Sequence, residues 1–80
     1  MSEYFEHVGQ LEGLKKQVSI CESAIQSHKE SIRNHLPLLC EAQDIDGDLI
    51  VSMAIALNEK CMELRGLRKK MDILERAMGQ

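Results

Sequence analysis

An apolar run in the middle of the chain limits what this protein can fold into. Residues 49–57 form a run of nine that is broken only by Ser52. This run is too short to cross a bilayer, which takes ~20 apolar residues, so it belongs inside protein. As a helix it is apolar on every side and needs neighbours on every side. A chain of 80 residues is near the size at which one core is marginal, so the run predicts cover from another polypeptide.

The composition predicts an all-α protein. The chain has no Trp, one Tyr, one Phe and one Pro, so its core must come from aliphatic side chains and Met. Abundant Glu, Lys and Arg suit helices. A net charge of −3 argues against a protein that coats nucleic acid and against an acidic disordered tail.

The first helix is predicted from about residue 2 to residue 35. Ser2 is a plausible N-cap, and Pro37 ends the helix because its ring disfavours helical geometry at Leu36 and removes a backbone donor. The apolar residues follow a heptad, which is typical of a coiled-coil-like seam. Its a positions are Tyr4, Leu11, Val18, Ile25, Ile32 and Leu39, and its d positions are His7, Leu14, Cys21, His28 and His35.

A connection of about residues 36–47 leads to a second helix of about residues 48–78. Asp46 or Asp48 can cap this helix, and Gly79 follows its last apolar residue as a C-terminal signal. A calcium-loop interpretation of the Asp-rich connection fails, because the ligand positions fall on Ala42 and Met53. The second heptad has Ile50, Leu57, Leu64, Met71 and Met78 at a, and Met53, Lys60, Leu67 and Leu74 at d.

Two helices of similar length with a short connection predict an antiparallel hairpin. Charge supports this, because the acidic start of the first helix would then lie beside the basic end of the second, with Glu3 and Glu6 facing the Arg65–Lys70 stretch. A hairpin buries one seam per helix and leaves a second apolar stripe uncovered. We therefore expect a twofold dimer forming a four-helix bundle, or a partner helix. The predicted partner interface consists of Leu49, Val51, Met53, Ile55 and Met62.

The sequence offers little basis for catalysis or for a cofactor. It has no nucleophile elbow, phosphate-binding glycine loop or Cys-x-x-Cys motif, and three widely spaced Cys form no disulfide framework. Cys21, His28 and His35 share one row, but successive members are about 10 Å apart along the helix, too far for one zinc ion. A metal site would need a facing helix or a second protomer, and otherwise these are seam residues.

We therefore expect a non-enzymatic interaction protein, an adaptor, inhibitor, regulator or small chaperone that acts through helix–helix packing. The alternative is a dimeric nucleic-acid-binding regulator that uses a basic patch, comparable to the Rop-type hairpin by analogy of fold alone. The chain opens without the apolar core of a signal peptide, so we expect a cytoplasmic protein with no membrane partner. The basic patch consists of Arg65, Arg68, Lys69 and Lys70.

Overall fold

The computed structural model describes residues 2–36 and 41–79. Helix α1 spans Ser2–His35, a 3₁₀ turn spans Ala42–Asp44, and helix α2 spans Gly47–Ala77. The described residues contain no strand. The expectation of an all-α chain with two packed helices is therefore confirmed, while the predicted seam residue Leu39 and the helix-ending Pro37 lie outside the described residues.

Local signals in the sequence account for the ends of α2. Asp46 is the N-cap, and its Oδ1 accepts a hydrogen bond from the backbone N–H of Leu49 at 3.0 Å. At the other end Gly79 has a φ of +79°, which is the left-handed conformation that glycine adopts most easily after a helix. Its N–H donates to the Arg76 carbonyl at 3.0 Å, which satisfies one of the last carbonyls of the helix.

The two helices pack side by side in opposite directions. Cys21 in α1 contacts Lys60 in α2, whereas His7, near the start of α1, lines the same groove as Leu74 and Ala77, near the end of α2. The chain is correspondingly long and thin, with extents of 63 × 16 × 14 Å. Neither helix, within the part of the chain that the structure describes, is long and apolar enough to cross a membrane.

The contact between the helices follows the predicted heptads. In α2 every predicted a and d residue is buried or half-buried, and in α1 the same holds from His7 to Ile32. Tyr4 and His35, at the two ends of the α1 heptad, are exposed. The buried apolar side chains among the described residues are few, namely Leu11, Cys21 and Leu67. The hairpin therefore has a narrow seam and no broad core.

Candidate partner-binding surface

An apolar stripe runs along the face of α2 that points away from α1. Val51, Ile55 and Met62 are 58%, 57% and 58% exposed, respectively. With 3.6 residues per turn, these three positions lie within one narrow sector of α2, on the side opposite the seam residues. Each of these side chains is more than half exposed among the described residues, so the stripe satisfies the condition for a surface that another polypeptide could bury.

The structure adds Ile73 to this stripe. Ile73 is 59% exposed and lies eleven residues after Met62, as Met62 lies eleven after Val51. Eleven residues make three helical turns, so the three side chains form one line along α2. Continuing the stripe of Val51 and Met62 by one further step of eleven residues would have identified Ile73 from the sequence. We refer to Val51, Ile55, Met62 and Ile73 as the outer stripe.

The structure separates the five predicted interface residues into two groups. Val51, Ile55 and Met62 belong to the outer stripe, whereas Met53 is half-buried on the seam that faces α1. Leu49 is exposed but lies one turn before Met53, on the same side of α2. Leu49 and Met53 therefore do not contribute to the surface formed by the other three.

Gly66 also lies on the outer stripe, between Met62 and Ile73. A Cβ atom at this position would meet no heavy atom within 4 Å, so packing inside the hairpin does not require a glycine there. An exposed glycine inside a helix costs about 1 kcal/mol relative to alanine. Because Gly66 has no side chain, the backbone of another helix can approach α2 closely at this point of the stripe.

The four residues of the predicted basic patch do not form one face. Arg68 and Lys70 are two residues apart and so point about 160° away from each other around the helix. The Arg68 guanidinium pairs with Glu22 of α1 at 3.2 Å, and Lys70 lines a groove on the other flank. Arg65 and Lys69 remain exposed at the edge of the outer stripe.

The same ion pair corrects the expected register of the hairpin. The basic stretch was expected to face Glu3 and Glu6, but Arg68 contacts Glu22, in the second half of α1. The stretch therefore lies beside the middle of α1, and the acidic start of α1 extends past it. The pair is exposed on both sides, so it contributes at most about 1 kcal/mol.

A shallow groove of about 610 Å³ lies between the helices near the chain termini. Gly13, Leu14 and Gln17 are among its lining residues on α1, and Lys70, Ile73, Leu74 and Ala77 line it from α2. Ile73 therefore lies where the outer stripe comes nearest to α1. The lining of the groove carries no cluster of acid, base and nucleophile of the kind that a catalytic site needs.

Cys21 and Lys60 meet at the centre of the seam. The Cys21 thiol is 3% exposed and donates a hydrogen bond to the Lys60 carbonyl across the helix interface at 3.2 Å. Burial raises the pKa of the Cys21 thiol, and the nearby Glu63 carboxylate raises it further. The thiol is thus held neutral, which is the form that suits a small apolar filler.

Lys60 is tolerated at a seam position because its charged end leaves the seam. Its ammonium group pairs with Glu63 Oε2 at 3.0 Å, and this hydrogen bond raises the pKa of Lys60. The aliphatic part of the side chain stays along the half-buried seam while the charge reaches water. Lys60 is therefore a charged residue at a d position of the heptad, but it does not disrupt the packing of the two helices.

Cys21, His28 and His35, the residues considered for a metal site across an interface, occupy different environments in the single chain. No group of three His, Cys, Asp or Glu residues within residues 2–36 and 41–79 is placed to hold a metal ion. His28 is half-buried at the seam, whereas His35 is exposed and its Nδ1 lies 2.7 Å from the Ser31 carbonyl oxygen. These residues are therefore separate helix and seam positions within one chain.

No protein family model, curated protein or solved structure matches this chain. The functional argument therefore rests on the surfaces of the hairpin itself.

Proposed function

We propose that this protein is a non-enzymatic interaction module that works by helix–helix packing through the outer stripe of α2. The observation that carries the proposal is the exposure of Val51, Ile55, Met62 and Ile73, each more than half exposed and aligned along one face. Burying a side chain of this kind is worth about 1.5–3 kcal/mol. A line of exposed apolar side chains along one face of a helix is the kind of surface by which amphipathic helices recognise one another.

The form of the interaction that we favour is self-association. A twofold dimer lets one apolar stripe cover an identical one, so a single chain supplies both halves of the interface. The resulting assembly contains four helices, in line with the expected dimer of hairpins. A regulator, adaptor, inhibitor or small chaperone could use the same surface to capture a helix of another protein, with Met62 adapting to different partners.

Nucleic-acid binding has weaker support than protein binding. Arg68 is engaged by Glu22, and Lys70 lies on the flank opposite Arg68, so the four basic side chains cannot follow one phosphate backbone together. The single Tyr and single Phe of the chain, Tyr4 and Phe5, are near the start of α1 and are not interleaved with the basic residues for base stacking.

The test of the proposal replaces Met62 by Asp and measures the mass in solution. Met62→Asp places a charge at the middle of the outer stripe, and burying an unpaired charge is costly, so we expect the wild-type dimer to be replaced by monomer in sedimentation equilibrium. Because Met62 is exposed on the side of α2 away from the seam, we expect the hairpin to keep its helix content by circular dichroism.

Ile20→Asp is the matched control. Ile20 is 67% exposed and lies in the middle of the other helix, so this substitution has a similar effect on helix propensity and leaves the outer stripe intact. We expect Ile20→Asp to remain dimeric.

A wild-type protein that is monomeric and folded at micromolar concentration would refute self-association. The alternative function is tested by the double variant Lys69→Glu, Lys70→Glu. If this variant still dimerises but no longer binds nucleic acid, the result supports nucleic-acid binding as the function.

A further inference from the structure

We infer that the outer stripe binds a second copy of itself in antiparallel orientation, about a twofold axis that passes through Met62. This inference rests on the proposed function and specifies its partner and its register. It comes from the positions of apolar residues, a glycine and charges along α2, each of which is considered in turn.

Three of the four apolar residues of the outer stripe are placed symmetrically about Met62. Val51 precedes Met62 by eleven residues and Ile73 follows it by eleven, a distance of about 16 Å in each direction. When two such helices run in opposite directions with the Met62 side chains in contact, Val51 of each copy lies level with Ile73 of the other. These three levels are then apolar on both sides, while Ile55 lies level with Lys69, whose long aliphatic side chain can cover it and keep its charge in water.

The charges of α2 favour the antiparallel orientation. From Gly47 to Cys61 the helix carries Asp48, Glu59 and Lys60, whereas from Met62 to Ala77 it carries five basic and three acidic residues. In the antiparallel register the acidic half of one copy lies along the basic half of the other, with Asp48 at the level of Arg76. A parallel register would place Arg65 and Lys69, both exposed beside the stripe, against their own copies, which is unfavourable.

Two further features fit this register. Gly66 lies level with Asn58 of the other copy. Because Gly66 has no side chain and a Cβ atom there would meet no heavy atom of its own chain, the space above it can be filled by the other α2 helix. In addition, Met62 is the middle residue of α2, which runs from Gly47 to Ala77. The two α2 helices therefore overlap along their whole length and leave no part of the outer stripe uncovered.

The position of the stripe also determines the arrangement of the four helices. Because the outer stripe is on the side of α2 opposite α1, the two α2 helices lie back to back in the centre, and the two α1 helices lie outside them. This is a layered assembly, different from a square bundle in which each helix contacts two neighbours at right angles.

Cysteine cross-linking tests the register. In a background with Cys21→Ala, Cys40→Ser and Cys61→Ala, the variants Val51→Cys and Ile73→Cys are mixed, equilibrated and oxidised with oxidised glutathione. Disulfide exchange then joins the two thiolates and releases two molecules of glutathione. We expect the Val51–Ile73 cross-linked heterodimer in excess of the statistical mixture, and we expect Met62→Cys alone to give a cross-linked dimer. Ile20→Cys, on the other helix, is the control that should not cross-link.

The outcomes separate this inference from the proposed function. The antiparallel register is overturned if Val51→Cys and Ile73→Cys each cross-link to their own copy. It is also overturned if sedimentation shows a dimer but none of these cross-links forms. In both cases self-association is still supported. A monomer in the wild-type protein overturns both.

If the cysteine-free background does not fold, the wild-type chain gives the same information. A mixture of ¹⁴N- and ¹⁵N-labelled protein treated with a carbodiimide should yield mixed-isotope peptides that join Lys69 to Glu59. Within one helix these residues are about 15 Å apart, too far for a zero-length link. Only unmixed peptides, or mixed peptides elsewhere on the chain, would contradict the register.

Discussion

At the scale of single residues, Cys21 shows how a polar group is accommodated in a seam with little depth. Its thiol is buried, donates to the Lys60 carbonyl and lies close enough to Glu63 for the negative charge to disfavour a thiolate. A neutral thiol in such a place fills space and satisfies a carbonyl without introducing a charge. We therefore expect the stability of the hairpin to fall at alkaline pH.

The pKa of Cys21 is raised in the folded chain, so its contribution to stability is complete below the thiol pKa of the unfolded chain, about 8.5. That contribution is lost as the pH rises through the higher folded-state pKa, because the unfolded state loses its proton first. We expect the unfolding free energy to fall more steeply between about pH 8 and 10 in wild type than in Cys21→Ala, as measured by urea unfolding.

Cys61→Ala is the control for this experiment, with Cys40 replaced by Ser in all the proteins compared. Cys61 is half-buried beside the same seam, so its replacement removes a thiol of similar location without removing the hydrogen bond to Lys60. Identical pH dependence in Cys21→Ala and wild type would show that the buried thiol does not couple to folding.

At the scale of secondary-structure elements, the ends of α2 depend on short local interactions. The Asp46 cap satisfies one of the free N–H groups at the start of the helix. We expect Asp46→Ala to lower the free energy of unfolding by about 1 kcal/mol, measured by urea denaturation at fixed protein concentration. Asp44→Ala, in the preceding 3₁₀ turn, is the control, and a loss as large as that of Asp46→Ala would contradict a specific capping role.

The elements were also the part of the structure that the sequence predicted best. The heptads placed the seam correctly from His7 to Ile32 and throughout α2, and they included Lys60, which keeps its position because its charged end pairs with Glu63 outside the seam. The predicted bounds of about 2–35 and 48–78 compare with Ser2–His35 and Gly47–Ala77. Periodicity and capping are local properties, so they can be recognised without knowing the neighbouring helix.

The alignment of one helix against the other was predicted less well. Arg68 pairs with Glu22, not with Glu3 or Glu6. Exposed ion pairs are too weak to fix how far α2 is displaced along α1. The heptad had already placed Met53 at a d position facing α1, so including Met53 and Leu49, one turn earlier, in the partner interface conflicted with the seam assignment.

At the scale of the whole molecule, the hairpin is 63 Å long and only 16 × 14 Å in cross-section. A shape of this kind offers little interior volume, so most of its apolar side chains lie at a seam or at a surface. The outer stripe is an aligned set of exposed apolar side chains on α2, and its burial by a second copy would thicken the molecule without lengthening it.

Small-angle X-ray scattering should therefore give a dimer whose maximum dimension stays close to the 63 Å of the single chain. The reason is that an axis through Met62 superimposes the two α2 helices over their full length. Met62→Asp, as a monomer, should show a similar maximum dimension with half the forward scattering at equal mass concentration. A dimer that is substantially longer than the monomer would indicate a staggered or end-to-end association.

The two opposite apolar sides of α2 have a consequence for how this sequence can change over time. In the dimer that we propose, α1 meets a neighbour on one side only, so its outward positions, such as Ile20, would be free to vary. α2 would be constrained by α1 along Leu64 and Leu67 and by the second copy along Val51 and Met62, so few of its positions could vary independently. Divergence among descendants of this chain should accumulate in α1, while α2 changes slowly and through paired replacements.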